Sequence, residues 1–89
     1  LTDPQRALAG LLYQCLVSIQ TKQAAGNFNI VKKECEELLA HKGFETEYVA
    51  LADARDLTQL GNYMAGTPMI ALIAAKIGEI RLIDNVLLQ

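Results

Sequence analysis

The side chains of this 89-residue chain that are suited to chemistry are two thiols, one imidazole and three carboxylates near apolar segments: Cys15, Cys35, His41, Asp53, Asp56 and Asp84. Thiols and imidazoles bind metals or act as nucleophiles and bases, and converging carboxylates hold cations or transfer protons. The sequence contains no CxxC, HExxH, GxSxG, GxGxxG or P-loop motif. We therefore assign no catalytic, cofactor-binding or metal-binding residue to the chain.

Each of these side chains has a structural interpretation that requires no function. Cys15 and Cys35 fall on the apolar sides of predicted helices, which indicates buried, reduced core thiols and fits a cytoplasmic protein. His41 lies at the C-terminal end of a predicted helix, where a cationic side chain is favoured. We expect the three aspartates at surface or capping positions, because nothing in their spacing requires them to converge.

The composition is that of a folded, soluble domain. Hydrophobic residues make up 52% of the chain and charged residues 20%, and a chain of this length predicts one domain. The net charge is −2 and no basic cluster is interleaved with aromatic residues, which argues against binding to nucleic acid or to an anionic membrane. The longest apolar run, residues 69–75, is far shorter than the roughly 20 residues of a membrane-spanning helix.

Two helices are predicted in the first half of the chain. Apolar residues at helical spacing predict a helix over residues 1–25, with Thr2 as its N-cap in a capping box with Gln5. A second helix is predicted over residues 29–41, with Asn29 as its N-cap. We expect the charged face of the second helix to lie in solvent.

The second half of the chain has the periodicity of strands. Residues 45–53 alternate in polarity, and residues 68–77 form a continuous apolar run that is typical of a central strand covered on both faces. A type II′ turn at residues 78–79 predicts a hairpin with a returning strand over 80–88, and a short helical turn is expected near 56–60. This order predicts an α+β domain in which two helices pack on one face of a three-stranded antiparallel sheet.

The end of the chain carries a recognisable sequence. The segment AAKIGEIRLIDNVLL, residues 74–88, resembles the C-terminal end of the pantothenate synthetase (pantoate–β-alanine ligase) family, which has two alanines, a Gly-containing turn and then Arg-Leu-Ile-Asp-Asn. LTDPQRALAGLLYQCL, residues 1–16, is similar to the opening helix of that family's domain. ELLAHKGFETEYVALADARDL, residues 37–57, resembles its helix, Gly, strand and turn. The resemblance covers nearly the whole chain.

The resemblance implies an ATP-dependent reaction in a larger enzyme. In that family, pantoate is activated as a pantoyl-adenylate, with ATP and Mg²⁺, and β-alanine then displaces AMP to give pantothenate. The family's nucleotide-binding domain lies upstream and ends in a Ser-Ser-Arg-Asn segment that this chain does not contain. The resemblance therefore implies that residues 1–89 are a single, lid-like C-terminal domain, and the start at Leu1 rather than Met fits this expectation.

Further expectations follow from the resemblance. The partners would be the enzyme's own N-terminal nucleotide-binding domain and, in the intact enzyme, ATP, pantoate and β-alanine, without nucleic acid or membrane. We expect the full-length enzyme to be a cytoplasmic homodimer, and the 89 residues alone to bind no cofactor and to be inactive. The alternative is a free-standing, non-catalytic protein-interaction module that shares this fold.

The polar residues of the last strand leave three roles open. Asp84 could accept backbone N–H groups or pair with Arg81, and Asn85 could hold a turn, so that all three stabilise the hairpin. Alternatively, Arg81 points towards a ligand phosphate, or the three residues contact the nucleotide-binding domain. Buried polar groups require partners, so the structure distinguishes these roles by showing what each side chain contacts.

Overall fold

The computed structural model describes residues 3–88, in which two helices precede an antiparallel sheet. The helices are α1 (Asp3–Thr21), which continues as a 3-10 turn over Lys22–Ala25, and α2 (Phe28–His41). The strands are β1 (Glu45–Asp53), β2 (Gln59–Leu60), β3 (Met69–Ile77) and β4 (Ile80–Leu88). They lie in the order β2-β1-β3-β4, and the predicted α+β class with both helices on one face is confirmed.

The sheet has four strands rather than the three that the sequence predicts. The expected helical turn at residues 56–60 is wrong, because Gln59 and Leu60 pair with Ala52 and Leu51 as the short strand β2. The chain reverses through Leu57, whose φ of 62° is left-handed, and this reversal carries residues 58–60 back along β1. A backbone bond of 2.9 Å from Asp53 N to the Thr58 carbonyl closes the turn.

The predicted helical segment over residues 1–25 changes type before it ends. The α-helix stops at Thr21 and a 3-10 turn continues to residue 25, after which Gly26 adopts a left-handed φ of 80°. A glycine tolerates this conformation without the steric cost that a Cβ imposes. The predicted end at Gly26 is therefore confirmed, whereas the Thr2–Gln5 capping box lies outside the residues whose side chains the structure describes.

The N-cap of α2 is Asn27 rather than Asn29. Asn27 has an extended backbone, with φ of −130° and ψ of 96°, and its side-chain oxygen accepts the N–H of Ile30 at 3.3 Å. Asn29 is already in the first helical turn, where it cannot act as the cap. Both asparagines are suitable residue types, so composition alone did not distinguish them.

The core lies between the helices and one face of the sheet. Alternate residues of the central strands face the helices and are buried beneath their apolar residues. The core residues that are at most 3% exposed include Leu12, Leu16, Ile19, Val31, Leu39, Val49, Leu51, Ala71, Ile73 and Ala75. Burial of apolar area at about 25 cal/mol per Å² makes this layer the main stabilising contribution. No helix among the described residues is long and apolar enough to cross a membrane.

Within residues 3–88, no helix packs on the other face of the sheet. Side chains of the opposite alternation point there, and Tyr48, Ile83 and Leu87 are 39%, 55% and 53% exposed. Strand β3 is central, as predicted, but the expectation that both its faces are covered holds only in part. On the outer face its Ile70 and Leu72 are half-buried, whereas Ala74 is fully buried.

The β3–β4 hairpin forms in the predicted register. Ile77 pairs with Ile80 across a two-residue turn in which Gly78 has a φ of 59°. Leu57 is the one described non-glycine residue with positive φ, so Glu79 has a negative φ, as a type II′ turn requires.

Two side chains of the β2–β3 loop join it to the helices. Asn62 Oδ1 accepts the N–H of Phe28 at 2.8 Å, in the first turn of α2. The Tyr63 hydroxyl donates to the Ile19 carbonyl at 2.7 Å, in the last turn of α1. The Tyr63 ring packs edge-to-face with the Phe28 ring, with 5.8 Å between the ring centroids. These bonds satisfy backbone groups near helix termini, where intrahelical partners are lacking.

We expect Tyr63→Phe to lower the free energy of unfolding by about 0.5–1.5 kcal/mol, the usual net contribution of one hydrogen bond. Burial raises the pKa of Tyr63 to about 12, so the hydroxyl remains a donor at neutral pH. Urea denaturation measures the change, and Tyr13→Phe is the matched control, because Tyr13 is 56% exposed on α1. A loss for Tyr13→Phe equal to that for Tyr63→Phe would contradict the assignment.

Candidate functional site

Both cysteines are free and buried, as the sequence predicts. Cys15 is 1% exposed on α1 and Cys35 is 3% exposed on α2. They lie on facing sides of the two helices, and the Cys35 Sγ donates to the Cys15 carbonyl at 3.6 Å. The Cys35 thiol therefore contacts Cys15 where the two helices meet, although 20 residues separate them in the chain.

Asp53 is buried at the end of β1 rather than at the surface. Its carboxylate accepts three hydrogen bonds, all donated by Arg55. The donors are the backbone N–H at 2.9 Å, Nε at 3.0 Å and Nη2 at 2.7 Å. These bonds favour the charged carboxylate, and they lower the pKa of Asp53 from 3.8 to about 2. The Arg55 side chain remains 69% exposed, so this ion pair lies at the edge of the domain.

The other sequence candidates do not join Asp53 in one site. Asp56 is exposed and accepts the N–H of Thr58 at 3.0 Å, and exposed His41 is the last residue of α2, as predicted. Asp84 lies two strands away on β4, opposite Ile73. Within residues 3–88, no three His, Cys, Asp or Glu side chains are close enough to hold a metal ion.

Arg81 pairs with Glu47 and not with Asp84. The Arg81 Nε donates to Glu47 Oε1, from the edge strand β4 across β3 to β1. Arg81 lies directly opposite Lys76, and like charges at such positions repel each other. The Glu47 carboxylate therefore balances the charge of Arg81, and Glu45 is the residue of β1 that lies opposite Lys76.

Alternation along β4 separates the polar residues of the Arg-Leu-Ile-Asp-Asn segment. Leu82, Asp84 and Val86 pair with residues of β3 that face the helices, whereas Arg81, Ile83 and Asn85 lie on the outer face. Asp84 is half-buried, and its Oδ1 accepts the N–H of Asn85 at 2.8 Å, which is the first of the two alternatives for this residue. The other alternative, a pair with Arg81, is not formed, because the two side chains lie on opposite faces of the sheet.

Asn85 does not hold a turn. It lies in the interior of β4, opposite Leu72, and it is exposed. Asp53 and Asp56 accept N–H groups in the turn after β1, whereas Asn62 and the Arg55 partner of Asp53 were not singled out from the sequence. Arg55 follows Asp53 at i+2, the spacing at which an aspartate accepts a backbone N–H, so this signal was present. Glu47 gave no such signal, because 34 residues separate it from Arg81.

The lowered pKa of Asp53 predicts a pH dependence of stability. A carboxylate with a depressed folded-state pKa stabilises the fold above its ordinary pKa and loses that contribution as pH falls through the folded value. The Asp53 contribution is therefore complete above pH 3.8 and is lost towards about pH 2. We expect Asp53→Asn to be less stable than the natural chain at pH 7, and the difference to shrink between these two values.

Chemical denaturation at a series of pH values measures this difference. Asp56→Asn is the matched control, because it also removes a carboxylate from this loop. The Asp56 side chain is exposed and accepts one hydrogen bond. A difference for Asp53→Asn that stays constant from neutral pH down to about pH 2 would refute the assignment.

The partner of Arg81 predicts a pattern of energetic coupling. A double-mutant cycle with Arg81→Gln and Glu47→Gln should give about 0.2–1 kcal/mol, the range of exposed ion pairs, since the side chains are 49% and 36% exposed. The same cycle with Asp84→Asn should give no measurable coupling. Stronger coupling of Arg81 to Asp84 than to Glu47 would reverse the assignment.

Known proteins resemble this chain along almost its whole length. The sequence profile of the family described as Pantoate-beta-alanine ligase matches residues 1–87. The pantothenate synthetase of Alcanivorax borkumensis is 34% identical over 88 residues, covering 97% of this chain and 30% of that protein. The pantothenate synthetase of Desulfatibacillum aliphaticivorans is 39% identical over 92 residues, covering 100% of this chain and 32% of that protein.

The fold agrees with these sequence relationships. The crystal structure of pantothenate synthetase from Thermus thermophilus superimposes with a TM-score of 0.73 at 28% identity, and the match covers 97% of this chain and 31% of that one. The chain thus spans about 30% of the length of the curated relatives it matches. Sequence profile, identity and fold together show that the chain belongs to the pantoate–beta-alanine ligase family.

Proposed function

We propose that this chain acts as the lid-like, C-terminal domain of a larger ATP-dependent pantoate–β-alanine ligase. The observation that carries the proposal is the extent of the match. The family profile runs from residue 1 to residue 87, yet this stretch corresponds to only about 30% of each relative. In such a ligase, a separate nucleotide-binding domain would precede residues 1–89 and act as their partner.

The proposed reaction has two steps in the intact enzyme. ATP converts the pantoate carboxylate to a pantoyl-adenylate and releases pyrophosphate, and the β-alanine amine then displaces AMP to form pantothenate. An acyl-adenylate is readily hydrolysed, and a closing lid excludes water from it. The full enzyme would work in this way in the cytoplasm, as a homodimer.

The polar side chains of this chain support a structural rather than a catalytic share in that reaction. Adenylation requires preorganised donors that stabilise the charge developing on the transferred phosphate and the leaving pyrophosphate. Here Arg55 is engaged by Asp53, and Arg81 is engaged by Glu47. Among the described residues, no three potential metal ligands converge.

A titration of the 89-residue chain tests whether the nucleotide chemistry lies elsewhere. Isothermal calorimetry with Mg-ATP should give no binding heat at micromolar to millimolar nucleotide, and the chain alone should form no pantothenate. Micromolar binding of ATP would contradict the lid assignment.

A second experiment tests the lid in the intact ligase. Deleting the segment that corresponds to residues 1–89 should lower pantothenate formation per ATP consumed, because water competes with β-alanine for the exposed adenylate. Adding the 89-residue chain in trans should restore coupling only at high concentration, since a covalent linker supplies an effective concentration in the millimolar range. Full, coupled activity of the truncated enzyme would refute the proposal.

The outer face of the sheet favours one second candidate, a free-standing protein-interaction module. Tyr48, Ile83 and Leu87 expose apolar surface there, and exposed apolar patches are typical of protein-binding surfaces. The gene distinguishes the two candidates. An upstream nucleotide-binding domain ending in Ser-Ser-Arg-Asn supports the ligase lid, whereas a start codon at Leu1 supports the module.

A further inference from the structure

A cleft between the two helices opens above the buried cysteine pair. It has a volume of about 230 Å³ and lies between residues 14–22, from α1 and the 3-10 turn, and residues 31–38 of α2. Both cysteines line it. Lys22 and Glu34 also line it, with a distance of 3.4 Å between Nζ and Oε1 and with side chains about half exposed. The cleft therefore joins two otherwise buried thiols to a charged part of the surface.

The Cys35 thiol contacts Cys15, and the two thiols are not equivalent. Interaction with the Cys35 side chain lowers the pKa of Cys15, although burial opposes the shift. The same interaction, together with burial, raises the pKa of Cys35. Cys35 donates to the Cys15 carbonyl at 3.6 Å, which holds its sulfur beside the first residue. The thiolate is the nucleophile in such an exchange, and Cys15 is the candidate for the first attack.

We propose that Cys15 and Cys35 form a thiol–disulfide exchange site, at which a low-molecular-weight disulfide entering the interhelix cleft oxidises the pair to an intramolecular bridge between α1 and α2. Two cysteines that only fill space in the core would require neither a contact with each other nor a cleft that both of them line. The contact and the shared cleft together favour exchange, and this inference does not depend on the ligase assignment.

The exchange proceeds in two balanced steps. The Cys15 thiolate attacks one sulfur of the small disulfide RSSR, which forms Cys15–S–S–R and releases the first RS⁻. Cys35 then loses its proton and attacks the Cys15 sulfur, which forms the protein disulfide and releases the second RS⁻. Two protein thiols are oxidised, one RSSR is reduced to two thiols, and the two protons pass to those thiols.

The bridge would add a covalent link between two helices that are held together by side-chain packing and by the bond from Cys35 to the Cys15 carbonyl. It would connect residues 20 positions apart, and closing such a loop restricts the unfolded chain more than the folded one. The oxidised chain should therefore melt about 10 °C higher than the reduced chain. An unchanged or lower midpoint would overturn the inference that the bridge fits the native helix contact.

The reaction is tested on the natural 89-residue chain with glutathione disulfide as the probe. Both thiols should disappear together under native conditions, the chain should stay monomeric, and peptide mapping should join the Cys15 and Cys35 peptides. Closure of the mixed disulfide should be at least about tenfold faster in native buffer than in urea, because the fold holds the second thiol beside the first. Closure that requires urea, or disulfide-linked dimers, would overturn the proposal.

The mixed disulfide tests the order of the two steps. In either single variant, Cys35→Ala or Cys15→Ala, the remaining cysteine should keep a stable glutathione adduct, because no second thiol is present to displace glutathione. In the natural chain, the mixed disulfide trapped by rapid alkylation should map to Cys15, and an adduct found mainly on Cys35 would overturn the assignment of Cys15 as the nucleophile. The comparison of native buffer with urea uses the natural chain, so the proposal stays testable if either variant fails to fold.

Discussion

The register of the β3–β4 hairpin is the constraint on which the rest of the domain depends. The turn at Gly78 and Glu79 pairs Ile77 with Ile80, and every later pair in the ladder follows from that first one. A slip of one residue would exchange the two faces of β4. Leu82 and Val86 would then leave the core, and Arg81 would lie beneath α1, where its charge would have no partner.

Once the register is set, the small residues of β3 determine how closely the layers approach. Ala71 and Ala75 alternate with Ile73 on the helix side, and all three are fully buried. Large side chains of α1 and α2, such as Leu12, Leu16 and Leu39, belong to the same buried cluster, and small strand residues allow helices to pack closely on a sheet. The edge of the sheet is also bonded to this layer, since Gln20 Nε2 donates to the Leu87 carbonyl at 3.1 Å.

Local sequence patterns predicted the parts of the fold that depend on local interactions. Strand β1, the hairpin and α2 were placed within one or two residues, because alternation, a Gly-first turn and helical spacing are properties of neighbouring residues. Strand β2 was missed, since two residues form it only by pairing with residues 51 and 52 across a strained turn. The 3-10 turn after Thr21 was missed for a similar reason, because no residue there breaks the helical pattern.

The candidate polar residues show the same division between local and long-range interactions. That Asp84 accepts a neighbouring N–H was predictable, and strand parity would have excluded its pairing with Arg81. The true partner was not predictable, because a register shift between Thr46 and Tyr48 leaves Glu47 out of the ladder of paired residues. In this bulge Glu47 reaches a cation on β4, two strands away, so an irregularity of the backbone rather than a residue type decides where the charge of Arg81 is balanced.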